Sequence, residues 1–158
     1  MTKRHDEIKN VAPDTVGTVS GCIRGDVRVR SVLQYAEDRE EIRTCGRGTY
    51  CRSAGGGTLS YVECTEDGGR VGNELSLQNG SAVLRRSGAV CARMSFVEGE
   101  TTAFSYGTPY GELRFQVQTR SLRMRATSAG VLVRIVYTVL QGGVPVSDNR
   151  LTIAFTVE

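Results

Sequence analysis

From Gly111 to Val157 apolar residues recur at every second position, in runs separated by tight turns. Leu113, Phe115 and Val117 alternate with Glu112, Arg114, Gln116 and Gln118; later, Leu151, Ile153, Phe155 and Val157 alternate with Thr152, Ala154 and Thr156. Successive side chains of an extended chain point to opposite faces, so a period of two marks strands with one buried face; a helix would need a period of 3.6. This stretch therefore specifies β-structure, and its last strands are expected at about 112–119, 121–127, 130–140 and 148–157.

The upstream chain follows the same grammar. Val27, Val29, Ser31, Leu33 and Tyr35 alternate with arginines, and the charged group Glu37–Glu41 reads as a turn before a strand from Ile42 to Cys51. Gly46 and Gly48 inside that strand predict a bulge or sharp bend. Ala54–Gly57 is a turn, Leu59–Thr65 and Gly72–Gln78 are strands, and Asn79-Gly80 is a two-residue hairpin signal because both residues readily take positive φ. Ser81–Arg86 and Ala89–Phe96, with Gly88 between them, read as one long bent strand or as two strands about a tight turn, and Thr101–Tyr106 completes the series, with turns at Val97–Glu100 and Gly107–Gly111. About ten antiparallel strands in one domain predict an all-β, up-and-down barrel of about 8–10 strands over residues 21–158, since closure removes the edges that invite aggregation. Residues 1–20 show no sustained period and are expected to form a mobile tail outside it.

Composition narrows the chemistry. The chain has 158 residues, one domain by ordinary size, and 19 glycines with no Trp suit short strands and many turns. No run is long enough for a membrane span, and the charged start Met1–Glu7 has no apolar stretch behind it, so a cytoplasmic protein is expected. Five cysteines, Cys22, Cys45, Cys51, Cys64 and Cys91, form an odd set without a C-x-x-C pair, which predicts reduced, buried thiols rather than a disulfide framework or a zinc ribbon. The only histidine, His5, lies in the expected tail. Serine or cysteine triads and histidine-ligated metals in the barrel are thereby excluded, and no catalytic residue, metal or cofactor is expected. The C-terminal half shows no obvious carboxylate pair for glycosidase chemistry, and Gly55-Gly56-Gly57 lacks the Lys-Ser/Thr of a phosphate loop. A carboxylate such as Glu112 working with an arginine is the residual enzymatic reading.

Two sets of residues stand out. In Ala82-Val83-Leu84-Arg85-Arg86, Arg86 shares a face with Ala82 and Leu84, so its guanidinium points inward and must find an acceptor: a carboxylate or carbonyls of the protein, or a ligand anion. Tyr137 lies on the face of Val131, Val133, Ile135 and Val139, and Tyr61 and Tyr106 are inward by the same logic, either as core residues or as ligand contacts. The second set is charged. Residues 81–158 carry nine basic and five acidic groups, and all cations of the chain but two are arginine. Arg114, Arg120, Arg123, Arg125 and Arg134 on consecutive strands form an expected outer basic stripe, or simply a solvated face.

The segment Arg86-Ser87-Gly88-Ala89-Val90, followed by Phe96, Tyr106 and Gly111-Glu112-Leu113, with Leu59-Ser60-Tyr61 and Thr152-Ile153 also in register, resembles the YwiB-like family of small bacterial proteins. The resemblance runs from about Asp26 to the C-terminus. It implies a calycin-like barrel, related in architecture to the lipocalins and fatty-acid-binding proteins, without an assigned activity or catalytic residue. The arginines at 123, 125 and 134 match no feature of that family. Two functions follow as expectations. One is a non-enzymatic protein, monomeric or homodimeric, whose lumen takes a small amphiphilic or anionic ligand against Arg86 and Tyr137. The other is an interaction module whose outer arginines hold an acidic protein or nucleic acid, with single-stranded RNA disfavoured for want of interleaved aromatics.

Overall fold

The computed structural model describes residues 21–158; the expected tail and His5 lie outside them. Ten strands run in chain order: β1 (Cys22–Gln34), β2 (Arg39–Ser53), β3 (Gly56–Cys64), β4 (Arg70–Gln78), β5 (Ser81–Gly88), β6 (Cys91–Val97), β7 (Thr101–Thr108), β8 (Gly111–Thr127), β9 (Gly130–Gln141) and β10 (Val144–Val157). Each pairs antiparallel with its neighbours in sequence, and β1 pairs with β10 to close the barrel. The turn at Asn79-Gly80 is made as its residues demand, with φ of 21° and 83°.

Three local expectations are corrected. The runs 112–119 and 121–127 belong to one strand, β8, whose pairing with β9 shifts register between Thr119 and Ser121. Arg120 is the extra residue of this bulge, and it moves the inward set from Val117 and Thr119 to Leu122, the partner of Ile135. Gly46 and Gly48 make no bulge, for β2 keeps unbroken register with β1. Gly48 is needed for space: a Cβ there would lie 2.5 Å from Cγ2 of Val27 and 2.8 Å from the Ser60 carbonyl oxygen. The cysteines differ most. Cys22 and Cys51 are register partners on β1 and β2 and are joined as a disulfide, while Cys45, Cys64 and Cys91 are exposed thiols. Spacing along the chain carries no information about a pair brought together by strand register.

The interior is filled by side chains. Leu59, Leu75, Phe96, Val117, Val133, Ile135 and Ile153 are essentially inaccessible, and they belong to one cluster that runs from β1 to β10. Phe104 stacks on Phe115 with ring centroids 5.5 Å apart, and Tyr50 meets Phe155 at 5.9 Å.

Candidate functional site

Strand register assembles the inward candidates into one row. Tyr61 of β3 pairs with Asn73, Asn73 with Arg86, Arg86 with Ala92 and Ala92 with Tyr106. Tyr137 faces this row from β9, packed edge-on against Phe96 at 5.0 Å. Arg86 has an acceptor within the protein. Its Nη2 donates to Oε1 of Glu63 at 2.9 Å and its Nε to Oδ1 of Asn73 at 3.1 Å. Asn73 Nδ2 donates to the same Glu63 oxygen at 2.9 Å, and Thr44 Oγ1 donates to the other at 3.1 Å. Glu63 is thus the centre of a four-residue network that sequence reasoning missed. The signal was present: Glu63 continues the inward set Leu59, Tyr61 by the parity that singled out Arg86.

Burial shapes the tyrosines around the network. Desolvation pushes the Tyr137 hydroxyl up to about 12, with the nearby Arg86 charge opposing the rise. Tyr61 is raised as well, first by burial and then by the Glu63 carboxylate. Both phenols are therefore neutral across ordinary pH, suited to core packing and hydrogen bonding rather than to proton transfer. A depression of about 1060 Å³ crosses the sheet from β1 to β6. It takes neighbouring residues from each strand, such as Arg85, Arg86 and Ser87, and so mixes side chains of both faces. It is an open trough across the wall, edged by Arg24, Arg47, Arg85 and Arg93, and not an enclosed lumen.

The outer arginines are regrouped by the fold. Arg114 pairs with Ser105 near the start of β8, remote from the others. Arg120, at the bulge, donates to Thr138 Oγ1 at 3.1 Å, and Thr138 in turn donates to Asp148. Arg123, Arg125 and Arg134 do stand together, and closure of the barrel adds partners from the other end of the chain. Arg123 is opposite Arg134, Arg134 opposite Thr152, Thr152 opposite Arg30 and Arg30 opposite Arg43. This transverse row crosses β8, β9, β10, β1 and β2, four strand spacings or about 19 Å. The adjoining row is Arg125, Leu132, Ala154, Arg28 and Cys45, and Arg150 follows on β10.

Few acids balance this wall. Glu98 accepts from Arg123 at 3.0 Å, and Glu41 accepts from Arg30 Nε and Arg43 Nε at 2.7 Å each. The hydrogen bonds from Arg30 and then Arg43 hold the Glu41 carboxyl down at about 2. Arg28, Arg125, Arg134 and Arg150 have no hydrogen-bond or ion-pair partner among the described residues. Arg28, Arg30, Arg43 and Arg150 were missed by sequence reasoning, which grouped arginines by nearness along the chain.

The class of protein is thus a closed, ten-stranded, antiparallel barrel with a side-chain-filled interior and an arginine-rich outer wall. Residues 27–153 match the family described as Domain of unknown function (DUF1934), and the chain belongs to it. The "Uncharacterized beta-barrel protein YwiB" of Bacillus subtilis (strain 168) is 27% identical over 129 residues, 82% of this chain and 90% of the relative. The crystal structure of ywiB protein from Bacillus subtilis superposes with a TM-score of 0.78 at 25% identity, covering 87% of this chain and 94% of that one. No helix of the described residues is long and apolar enough to cross a membrane.

Proposed function

We propose that the protein is a binding protein that holds a polyanionic partner on its outer wall. The observation that carries this reading is the transverse row Arg123, Arg134, Thr152, Arg30, Arg43, flanked by Arg125, Arg28 and Arg150. Guanidiniums gathered from five neighbouring strands raise the local potential above what a net charge of +3 suggests. The exposed ion pairs to Glu41 and Glu98 are weak competitors, since solvent screens them and they re-partner readily. A lumenal ligand on Arg86 is the less favoured reading, because Glu63 and Asn73 already occupy that guanidinium. The role proposed is non-catalytic and cytoplasmic. In a reducing cytoplasm the Cys22–Cys51 pair would stand as thiols, with the β1–β2 ladder holding the same register.

The test is salt-dependent binding of labelled heparin and of a polyglutamate peptide, with the wall variant R125E/R134E compared with R114E, a charge reversal remote from the wall. We expect at least one polyanion to bind with affinity falling steeply as salt rises, and the wall variant to lose about tenfold or more while R114E changes little. Equal loss in both, or no binding of any polyanion at low salt, would refute the reading.

A further inference from the structure

The wall has a shape as well as a charge. β10 contributes Thr152 and Ala154 to its middle, both partly buried, with Arg150 beyond them on the same strand, and the other arginines stand to either side. Arg134 of β9 with Arg123 and Arg125 of β8 makes one bank; Arg28 and Arg30 of β1 with Arg43 of β2 makes the other. A depression of about 350 Å³ lies among Arg123, Arg125, Leu132 and Arg134, and one of about 550 Å³ among Arg28, Arg30, Arg43, Thr152 and Ala154. Along the sheet, the backbones of the inner strands of the two banks are two strand spacings apart and those of the outer strands four, about 10 Å and 19 Å. That interval brackets the roughly 12 Å width of a duplex major groove.

We propose that this wall docks double-stranded nucleic acid, each bank of arginines holding the phosphates of one strand on either side of a groove. The proposal rests on the polyanion-binding reading and names its partner. The chemistry of the wall discriminates among polyanions. A stable interface with an acidic protein is built around aromatic or large aliphatic anchors seated in pockets. Among the outward residues of β1, β2, β9, β10 and Arg120–Thr127 of β8 there is no aromatic; Val32, Leu132 and Val136 are already partly buried, and the exposed Val144 and Val146 lie at the start of β10, away from Thr152 and Ala154. Nucleic-acid interfaces are by contrast more polar and far more positively charged. Every cation of the wall is arginine, whose planar fork bonds phosphate oxygens in pairs.

The same absence of outward aromatics separates duplex from single strand. Single strands are held by stacking their bases on aromatic rings, whereas a duplex keeps its bases stacked on one another and offers its phosphates. Contacts confined to phosphates position a protein without reading sequence, so binding is expected to be sequence-independent.

The experiment is fluorescence anisotropy with a short DNA duplex, one of its single strands, a duplex of scrambled sequence, and heparin, over a range of salt. Four to seven phosphate contacts predict a slope of log K against log salt of about −4 to −6 for the duplex. We expect weaker binding of the single strand, and scrambled duplex within about threefold of the first, as phosphate-only contacts require. R28E/R30E on one bank and R125E/R134E on the other should each lower duplex affinity about tenfold or more. Glu41→Gln, which frees Arg30 and Arg43, should raise it severalfold, so a gain of binding tests the proposal even where a charge reversal disturbs folding. Heparin binding without duplex binding would overturn the duplex proposal and leave the polyanion reading standing; failure with every polyanion would overturn both. Duplex binding insensitive to either bank, or a single strand bound as tightly as the duplex, would also overturn it.

Discussion

Replacing Glu63 with Met tests whether Arg86 is held by the protein or left waiting for a ligand. Glu63 accepts hydrogen bonds from Arg86, Asn73 and Thr44, and the Glu63 and Arg86 side chains are 17% and 27% exposed. Hydrogen bonds to charged groups contribute about 1.5–3 kcal/mol each, and removing one partner of a buried pair costs about 3–5 kcal/mol. Residual exposure lets water solvate the stranded guanidinium, so we expect Glu63→Met to cost about 2–3 kcal/mol. For a chain of this size that lowers the melting temperature by roughly 5–10 °C. Arg86→Met should cost less, about 1–2 kcal/mol, because Asn73 and Thr44 still serve the carboxylate. The double variant leaves no orphaned charge, and apolar replacement of a whole pair is often close to neutral. It should therefore be more stable than the sum of the single effects by about 1–2 kcal/mol. Urea unfolding of the four proteins followed by circular dichroism measures this coupling. Additivity within about 0.5 kcal/mol would refute the network and return Arg86 to the role of an unfilled anion site.

Two further outcomes follow from the same structure. Tyr137 titrates near 12 when folded and near 10 when unfolded, so the unfolded state loses its proton first as pH rises. Its contribution is complete below pH 10 and is lost between about 10 and 12, roughly 2–3 kcal/mol, to be followed by tyrosinate absorbance alongside alkaline unfolding; ionisation at the ordinary phenol value in the folded protein would contradict its burial. Reduction of Cys22–Cys51 releases a constraint spanning 29 residues, which by loop entropy removes about 3–4 kcal/mol. Thermal melts with and without reductant should separate accordingly while the β-sheet spectrum is kept, and identical melts would show that the bond does not form.

Much of the fold was legible because strand parity is local. Each residue's face follows from its neighbours two positions away, so Val27, Leu59, Leu75, Ile135 and Ile153 reveal themselves as core, and Arg86 and Tyr137 as inward, without any knowledge of partners. Turn chemistry is equally local, as Asn79-Gly80 shows. The bulge at Arg120 escaped that logic because an extra residue in one strand is defined only against the ladder beside it.

The sequence by itself determined that this chain is a succession of antiparallel strands with no histidine in residues 21–158, because period, turn residues and composition act within a few positions. Tertiary structure alone decided which residues meet. Register across β3, β4 and β5 delivered Glu63 and Asn73 to Arg86, and register across β1 and β2 delivered Cys22 to Cys51. Pairing of β1 with β10 set Arg28 and Arg30, near one end of the chain, beside Arg134 and Arg123, near the other. Closure of a sheet joins positions that no local pattern relates, and the proposed binding wall is made of such positions.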